Sequence, residues 1–140
     1  MGIDGDASAD VIRVRRSGPL EGSVRVGGAK NSALKLMAAT VLAPGGHTLR
    51  NVPRIADVTL MAELLDRMGA TVSRRSDDPD VLTIDVPDVM DPEAPYDLVE
   101  KMRASIVVLG PLLARFGEAR VSVPGGDDSA TAPSTCTCVA

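Results

Sequence analysis

Aromatic side chains are almost missing from this sequence. Tyr96 and Phe116 make up 1% of the chain, and there is no tryptophan. A base-stacking surface for single-stranded nucleic acid needs more than that. Any core must be aliphatic, and with 44% hydrophobic residues one is available. A surplus of basic charge is also missing. The formal net charge is -4 and the pI is about 4.9, which excludes the bulk basic footprint of a nucleic-acid or anionic-membrane binder. No apolar run approaches the ~18 residues of a membrane span, and Met1–Asp10 lacks the cationic and apolar regions of a secretion signal. A cytoplasmic location is expected, with no nucleic-acid or membrane partner. Cys136 and Cys138 are the only cysteines and His47 is the only histidine. That spacing makes a poor metal site, so no metal and no cofactor are expected.

What is present reads as alternating strands and helices in one modest domain of 140 residues. Residues 1–9 read as a disordered leader. Val11–Arg15 and Gly22–Val26 alternate apolar and polar residues, as half-buried strands do. Asn31–Ala43 is apolar on nearly all faces, the pattern of a buried helix. His47–Val52 reads as a strand. In Ala56–Met68 a single stripe of Val58, Met61, Leu64, Leu65 and Met68 predicts an amphipathic helix, capped by Gly69. Thr71–Arg74 and Val81–Val86 read as strands across a polar turn. Asp97 is placed as N-cap of a long helix, Leu98–Arg115, kinked at Pro111. Ala119–Val123 reads as a strand.

The two apolar helices align at a constant offset. Leu42-Ala43 matches Leu113-Ala114, Gly46 matches Gly117, Val52-Pro53 matches Val123-Pro124, and Lys30 falls on Lys101. Such a repeat implies further copies, because a helix apolar all round needs neighbours on every side.

Three clusters carry chemistry. Gly27–Lys35 (G-G-A-K-N-S-A-L-K) joins a strand to a helix N-terminus, where unpaired N–H groups and the positive dipole end suit an anion. It lacks P-loop spacing, and by itself Gly27-Gly28 also reads as a plain tight turn. The second cluster is Y-D-L-V-E-K-M-R-A-S-I-V-V-L-G-P-L-L-A-R-F-G, Tyr96–Gly117. The third is V-S-V-P-G-G-D, Val121–Asp127. In this order and spacing, with N-V-P-R-I-A-D-V at Asn51–Val58, they resemble the UDP-N-acetylglucosamine 1-carboxyvinyltransferase family from about Ile12 to Asp127. The sister family acting on shikimate 3-phosphate has a G-x-K-S-type segment where this chain has G-A-K-N.

The resemblance implies an α/β (α+β) fold, an inside-out α/β barrel of the enolpyruvyl transferase type. It would be incomplete here, with about one and a half βαβαββ repeats. Residues 10–26 would be strands belonging to the second, C-terminal domain, and residues 27–127 a partial catalytic domain. The implied reaction moves the enolpyruvyl group of phosphoenolpyruvate onto the 3′-hydroxyl of UDP-N-acetylglucosamine. Lys30 and Asn31 match the family's phosphoenolpyruvate-contacting pair, and Arg103 matches the arginine at the nucleotide sugar. Asp127 stands where most members carry the cysteine that acts as general acid and reacts with the epoxide fosfomycin. A free aspartic acid titrates near about 3.9, so protonation at pH 7 requires about 4 kcal/mol of environmental help. The expected 140-residue product is an inactive fragment with poorly covered apolar faces. The alternatives are a shikimate-pathway enolpyruvyl transferase and a non-catalytic module with the same fold.

After Asp127 the resemblance stops. Residues 128–140 have no apolar period and read as an ordinary tail or, more sharply, as an out-of-frame one. One codon choice for Ser129–Cys138, read two bases later, encodes G-N-R-A-L-D-M-H-V, a loop of the family's type. Twelve arginines against three lysines fit GC-rich coding. The expectation is a one-base deletion just after the Asp127 codon.

Overall fold

The structure, a computed structural model, describes residues 15, 16 and 18–122, together with the backbone of 135–139. The elements run in the order α1 (Lys30–Thr40), β1 (Gly45–Leu49), α2 (Ala56–Arg67), β2 (Thr71–Arg74), β3 (Leu82–Val86), α3 (Tyr96–Val99), a 3₁₀ segment (Arg103–Val108), α4 (Leu109–Phe116), β4 (Glu118–Ser122) and β5 (Thr135–Val139). This is a mixed helix–strand architecture with a partial sheet.

β3 is the central strand of an antiparallel sheet ordered β1-β3-β2. Leu49 pairs with Leu82 on one side and Arg74 with Leu82 on the other. Leu82, Ile84 and Val86 alternate onto the buried face, as period-2 geometry requires. The helices α1 and α2 pack together. The α2 stripe lands as its spacing predicts, with Val58, Met61, Leu64, Leu65 and Met68 all buried. Gly69 ends α2 at φ 108°. Its N–H donates to Asp66 O at 3.0 Å and that of Ala70 to Leu65 O at 3.0 Å, a Schellman arrangement that satisfies the last carbonyls.

Several expectations change. Gly22–Val26 is irregular chain rather than a strand. No strand lies beside it among the described residues, and Val24 and Val26 are exposed. Alternation alone does not hold a strand together without a partner. Residues 11–14 of the first expected strand lie outside the described residues.

The α1 helix stops at Thr40, not Ala43. Val41 and Leu42 tighten into bonds to Ala38 O and Ala39 O, both 3.1 Å. Its apolar faces are not all covered: Leu34 and Met37 are buried, whereas Leu36 is 55% and Leu42 51% exposed.

The long helix Leu98–Arg115 is three pieces. Asp97 is not its N-cap. It lies in the first turn of α3, whose N-cap is Pro95, and accepts from Arg67 Nη1 at 2.9 Å. Pro111 does not kink a helix; it lies in the first turn of one. Its ring conflicts with the carbonyl four residues earlier, and it has no N–H to give. As the third residue of α4 it sits where a missing donor costs nothing. The buried Ser105 donates to Met102 O at 2.6 Å, which favours the tighter 3₁₀ winding before it.

A helix followed by a strand recurs, α1 then β1 and α4 then β4, but the positive-φ glycines are Gly45 and Gly117, so the expected match of Gly46 with Gly117 is out of register by one residue. Lys101, however, lies in a turn and not at a helix start like Lys30. The tail is not featureless either. Thr135–Val139 is β5, antiparallel to β4, with Ser122 opposite Thr135 and Glu118 opposite Val139. Threonine and valine favour a pleated strand, and β4 offers it an edge.

Arg115 ties α4 to the end of α1 and to the segment after β3. Its guanidinium donates to Val41 O at 2.9 Å, Pro87 O at 2.7 Å and Asp88 O at 3.0 Å, and lies 4.8 Å from the Phe116 ring centre. One planar fork thus satisfies carbonyls at the end of α1 and after β3.

Candidate functional site

The G-G-A-K-N junction is shaped by a close approach. A Cβ on Gly28 would fall 1.8 Å from Asn51 O and 2.9 Å from Asn51 C. Neither Gly27 nor Gly28 has positive φ, so the tight-turn reading is replaced. Gly28 is glycine because the Asn51–Pro53 backbone occupies its side-chain position. That backbone is itself held. Asn51 adopts φ 58°, a left-handed conformation that asparagine tolerates. Val52 N–H donates to Asp80 O at 2.8 Å. Arg74 donates to Val52 O at 3.3 Å and Pro53 O at 3.1 Å. The N-V-P-R segment is therefore a fixed wall beside the start of α1.

Lys30 is the first residue of α1. The helix has no side-chain N-cap bond and no acidic residue in its first turn. Its leading backbone N–H groups have no intrahelical acceptor. A cation here opposes the helix dipole by about 0.3–1 kcal/mol, so local helix chemistry does not explain the lysine. The ammonium is paired with Asp57 Oδ2, in the first turn of α2. Helix packing thus brings together two charges that lie far apart in the chain.

Asn31 is exposed one residue further along α1. Arg103 is exposed at the start of the 3₁₀ segment. That segment packs on α1, so Arg103 is carried by the neighbour of the element bearing Lys30 and Asn31. Asp127 lies outside the described residues. A cavity of about 460 Å³ opens beside the start of α1, lined by Gly28, Ala29, Ser32 and Leu36 on one side and by Leu49 and Asn51 on the other. Neither Lys30 nor Asn31 lines it.

Two contributors were not expected from sequence. By sequence Asp57 falls outside the apolar stripe of α2 and reads as part of its polar face. Its signal was an acid in the first turn at the edge of the apolar stripe. Arg74 had no signal, because its acceptors are backbone carbonyls. Away from this site, a hydrogen bond from Arg75 holds the exposed Asp77 below the usual carboxylate range. Among the described residues, no group of three or more His, Cys, Asp or Glu could hold a metal. Among the described residues, no helix is long and apolar enough to cross a membrane.

Residues 14–133 match the sequence profile of the EPSP synthase (3-phosphoshikimate 1-carboxyvinyltransferase) family. A UDP-N-acetylglucosamine 1-carboxyvinyltransferase of Anaeromyxobacter sp. (strain K) is 54% identical over 117 residues, covering 84% of this chain and 28% of the relative. The protein of that name from Myxococcus xanthus (strain DK1622) is 51% identical over the same shares. The chain therefore spans 28% of the length of these curated relatives. The crystal structure of the enolpyruvyl transferase NikO from Streptomyces tendae superposes with a TM-score of 0.63 at 31% identity, covering 74% of this chain and 24% of NikO. With a lysine at an uncapped helix start, a glycine pressed against the N-V-P wall and this set of relatives, the chain belongs to the EPSP synthase family of enolpyruvyl transferases.

Proposed function

We propose that the chain is part of the catalytic domain of a cytoplasmic UDP-N-acetylglucosamine 1-carboxyvinyltransferase, acting at the first committed step of peptidoglycan synthesis. The observation that carries this reading is Lys30 at the uncapped start of α1, in a sequence 54% identical to a relative of that name. Lys30 and Asn31 meet the phosphate of phosphoenolpyruvate, and Arg103 meets the nucleotide sugar. Asp127 as general acid gives a proton to the methylene carbon, while the sugar 3′-hydroxyl adds to the adjacent carbon and loses its own proton. Elimination then removes a methyl proton, restores the double bond and expels phosphate. Cations at the phosphate and a positioned acid are what such charge development requires.

The test is phosphate release by residues 12–127 fused in frame to the remaining length of the Myxococcus xanthus relative. Release that depends on UDP-N-acetylglucosamine is expected, and Lys30→Ala should lower it by about 100-fold or more. Release with shikimate 3-phosphate instead would favour the sister activity, whose name the matching family profile carries. No release with either acceptor would favour a non-catalytic module. The 140-residue chain alone is expected to be inactive; turnover by it would overturn that expectation. Fosfomycin gives a separate check. The fusion should keep its activity with Asp127 in place and lose it over time after Asp127→Cys, since a thiolate opens an epoxide far better than a carboxyl does. Covalent inactivation of the Asp127 form would refute the assignment.

A further inference from the structure

We propose that Asp57 is a positioning residue for Lys30, holding its ammonium at the start of α1 so that it meets a phosphate-bearing substrate already oriented. The inference rests on the phosphate role proposed above for Lys30. Three observations carry it. First, Lys30 stands at the positive end of α1, where neither a side-chain cap nor a first-turn acid supports it. Its position is explained by something outside the helix. Second, Asp57 Oδ2 reaches the ammonium from another helix. Asp57 lies in the first turn of α2, where the dipole favours a carboxylate. The acid is placed consistently with its own helix, and the lysine inconsistently with its own. Third, the pair is not sealed. Lys30 keeps 54% and Asp57 30% of side-chain exposure, which leaves the ammonium open to an incoming anion.

The chemistry is that of a shared donor. An ammonium has three N–H groups. One satisfies Asp57, which limits the sweep of a flexible four-carbon stem, and the others remain for phosphate oxygens. A lysine pre-oriented in this way loses less freedom when the anion arrives. An ordinary surface ion pair would have the same geometry but no bearing on anion binding, and that difference decides the test.

Site-resolved acetylation of the in-frame fusion described above, read by mass spectrometry, follows Lys30 with the exposed Lys35 and Lys101 as internal references for reagent access, while circular dichroism reports on the fold. In Asp57→Asn, acetylation of Lys30 should rise about two- to fivefold while the reference lysines stay unchanged. Asp57→Glu should restore slow acetylation. Phosphoenolpyruvate is the probe for the second arm. It should protect Lys30 in the wild type and in Asp57→Glu, and protect it poorly in Asp57→Asn. Equal protection in the wild type and Asp57→Asn would overturn the positioning role while leaving the phosphate role standing. An unchanged Lys30 rate in Asp57→Asn would overturn it too. Absence of protection in the wild type, with Lys30 still accelerated in Asp57→Asn, would overturn the phosphate role and reduce Asp57 to a plain ion-pair partner.

Discussion

Gly28→Ala is expected to cost about 3 kcal/mol of stability and to displace the start of α1 from the N-V-P wall. The added carbon would sit 1.8 Å from Asn51 O and 3.0 Å from Pro53 Cδ. Neither neighbour yields cheaply. The first is backbone in a left-handed turn, and the wall behind it is held by Arg74 and by the Val52–Asp80 bond. Any relief must come from moving residues 27–30, which moves Lys30. Urea denaturation of the full chain measures the loss as a lower midpoint at unchanged slope. Gly27→Ala is the control. Nothing lies within 4 Å of its added carbon, so a shift below about 1 kcal/mol is expected. Equal effects at the two positions would show that backbone freedom, and not the close approach, selects glycine here.

Leu64→Ala should lower stability by about 2–5 kcal/mol, the usual range for a core leucine. Leu64 is 0% exposed, on the α2 stripe. Leu36→Ala, on the α1 face left open beside the cavity, should stay within about 0.5 kcal/mol. The same denaturation experiment compares them. The contrast tests which helix faces form the core, because hydropathy alone ranks the two leucines equally. Leu36→Ser should in addition reduce self-association, since isolated apolar patches of this kind promote it.

Legibility of the fold followed the strength of the local pattern. The α2 stripe and its Gly69 cap were readable because one face is apolar, the other is charged and the stop is a glycine. The β2 and β3 strands were readable because a polar turn separates two β-rich runs. The long helix was misread because its apolar run looks continuous, while the β-branched Ile106–Val108, Gly110 and Pro111 weaken α-helix there and Ser105 bonds back to Met102. Gly22–Val26 keeps a strand's alternation but has no strand beside it among the described residues, because pairing is a property of a neighbour. For the site, Lys30 and Asn31 stand together at the helix start as their motif suggested. Their roles, that of Arg103 and that of Asp127 rest on resemblance and on the experiments above. Asp57 could not be read as a partner of Lys30, because the packing of α1 on α2 makes that pair.

The Arg115 fork also bears on the order in which the chain acquires its structure. The carbonyl of Val41 receives its guanidinium partner 74 residues downstream. A ribosome adding about 5–20 residues per second exposes α1 for several seconds before that partner exists. Throughout that interval the end of α1 must be satisfied by water, and its packing against the segment after β3 is unsecured. The first helix can form early, but its final lock is a late event that closes a long loop. Hydrogen exchange at the C-terminal turn of α1 would then report on Arg115 rather than on α1 alone.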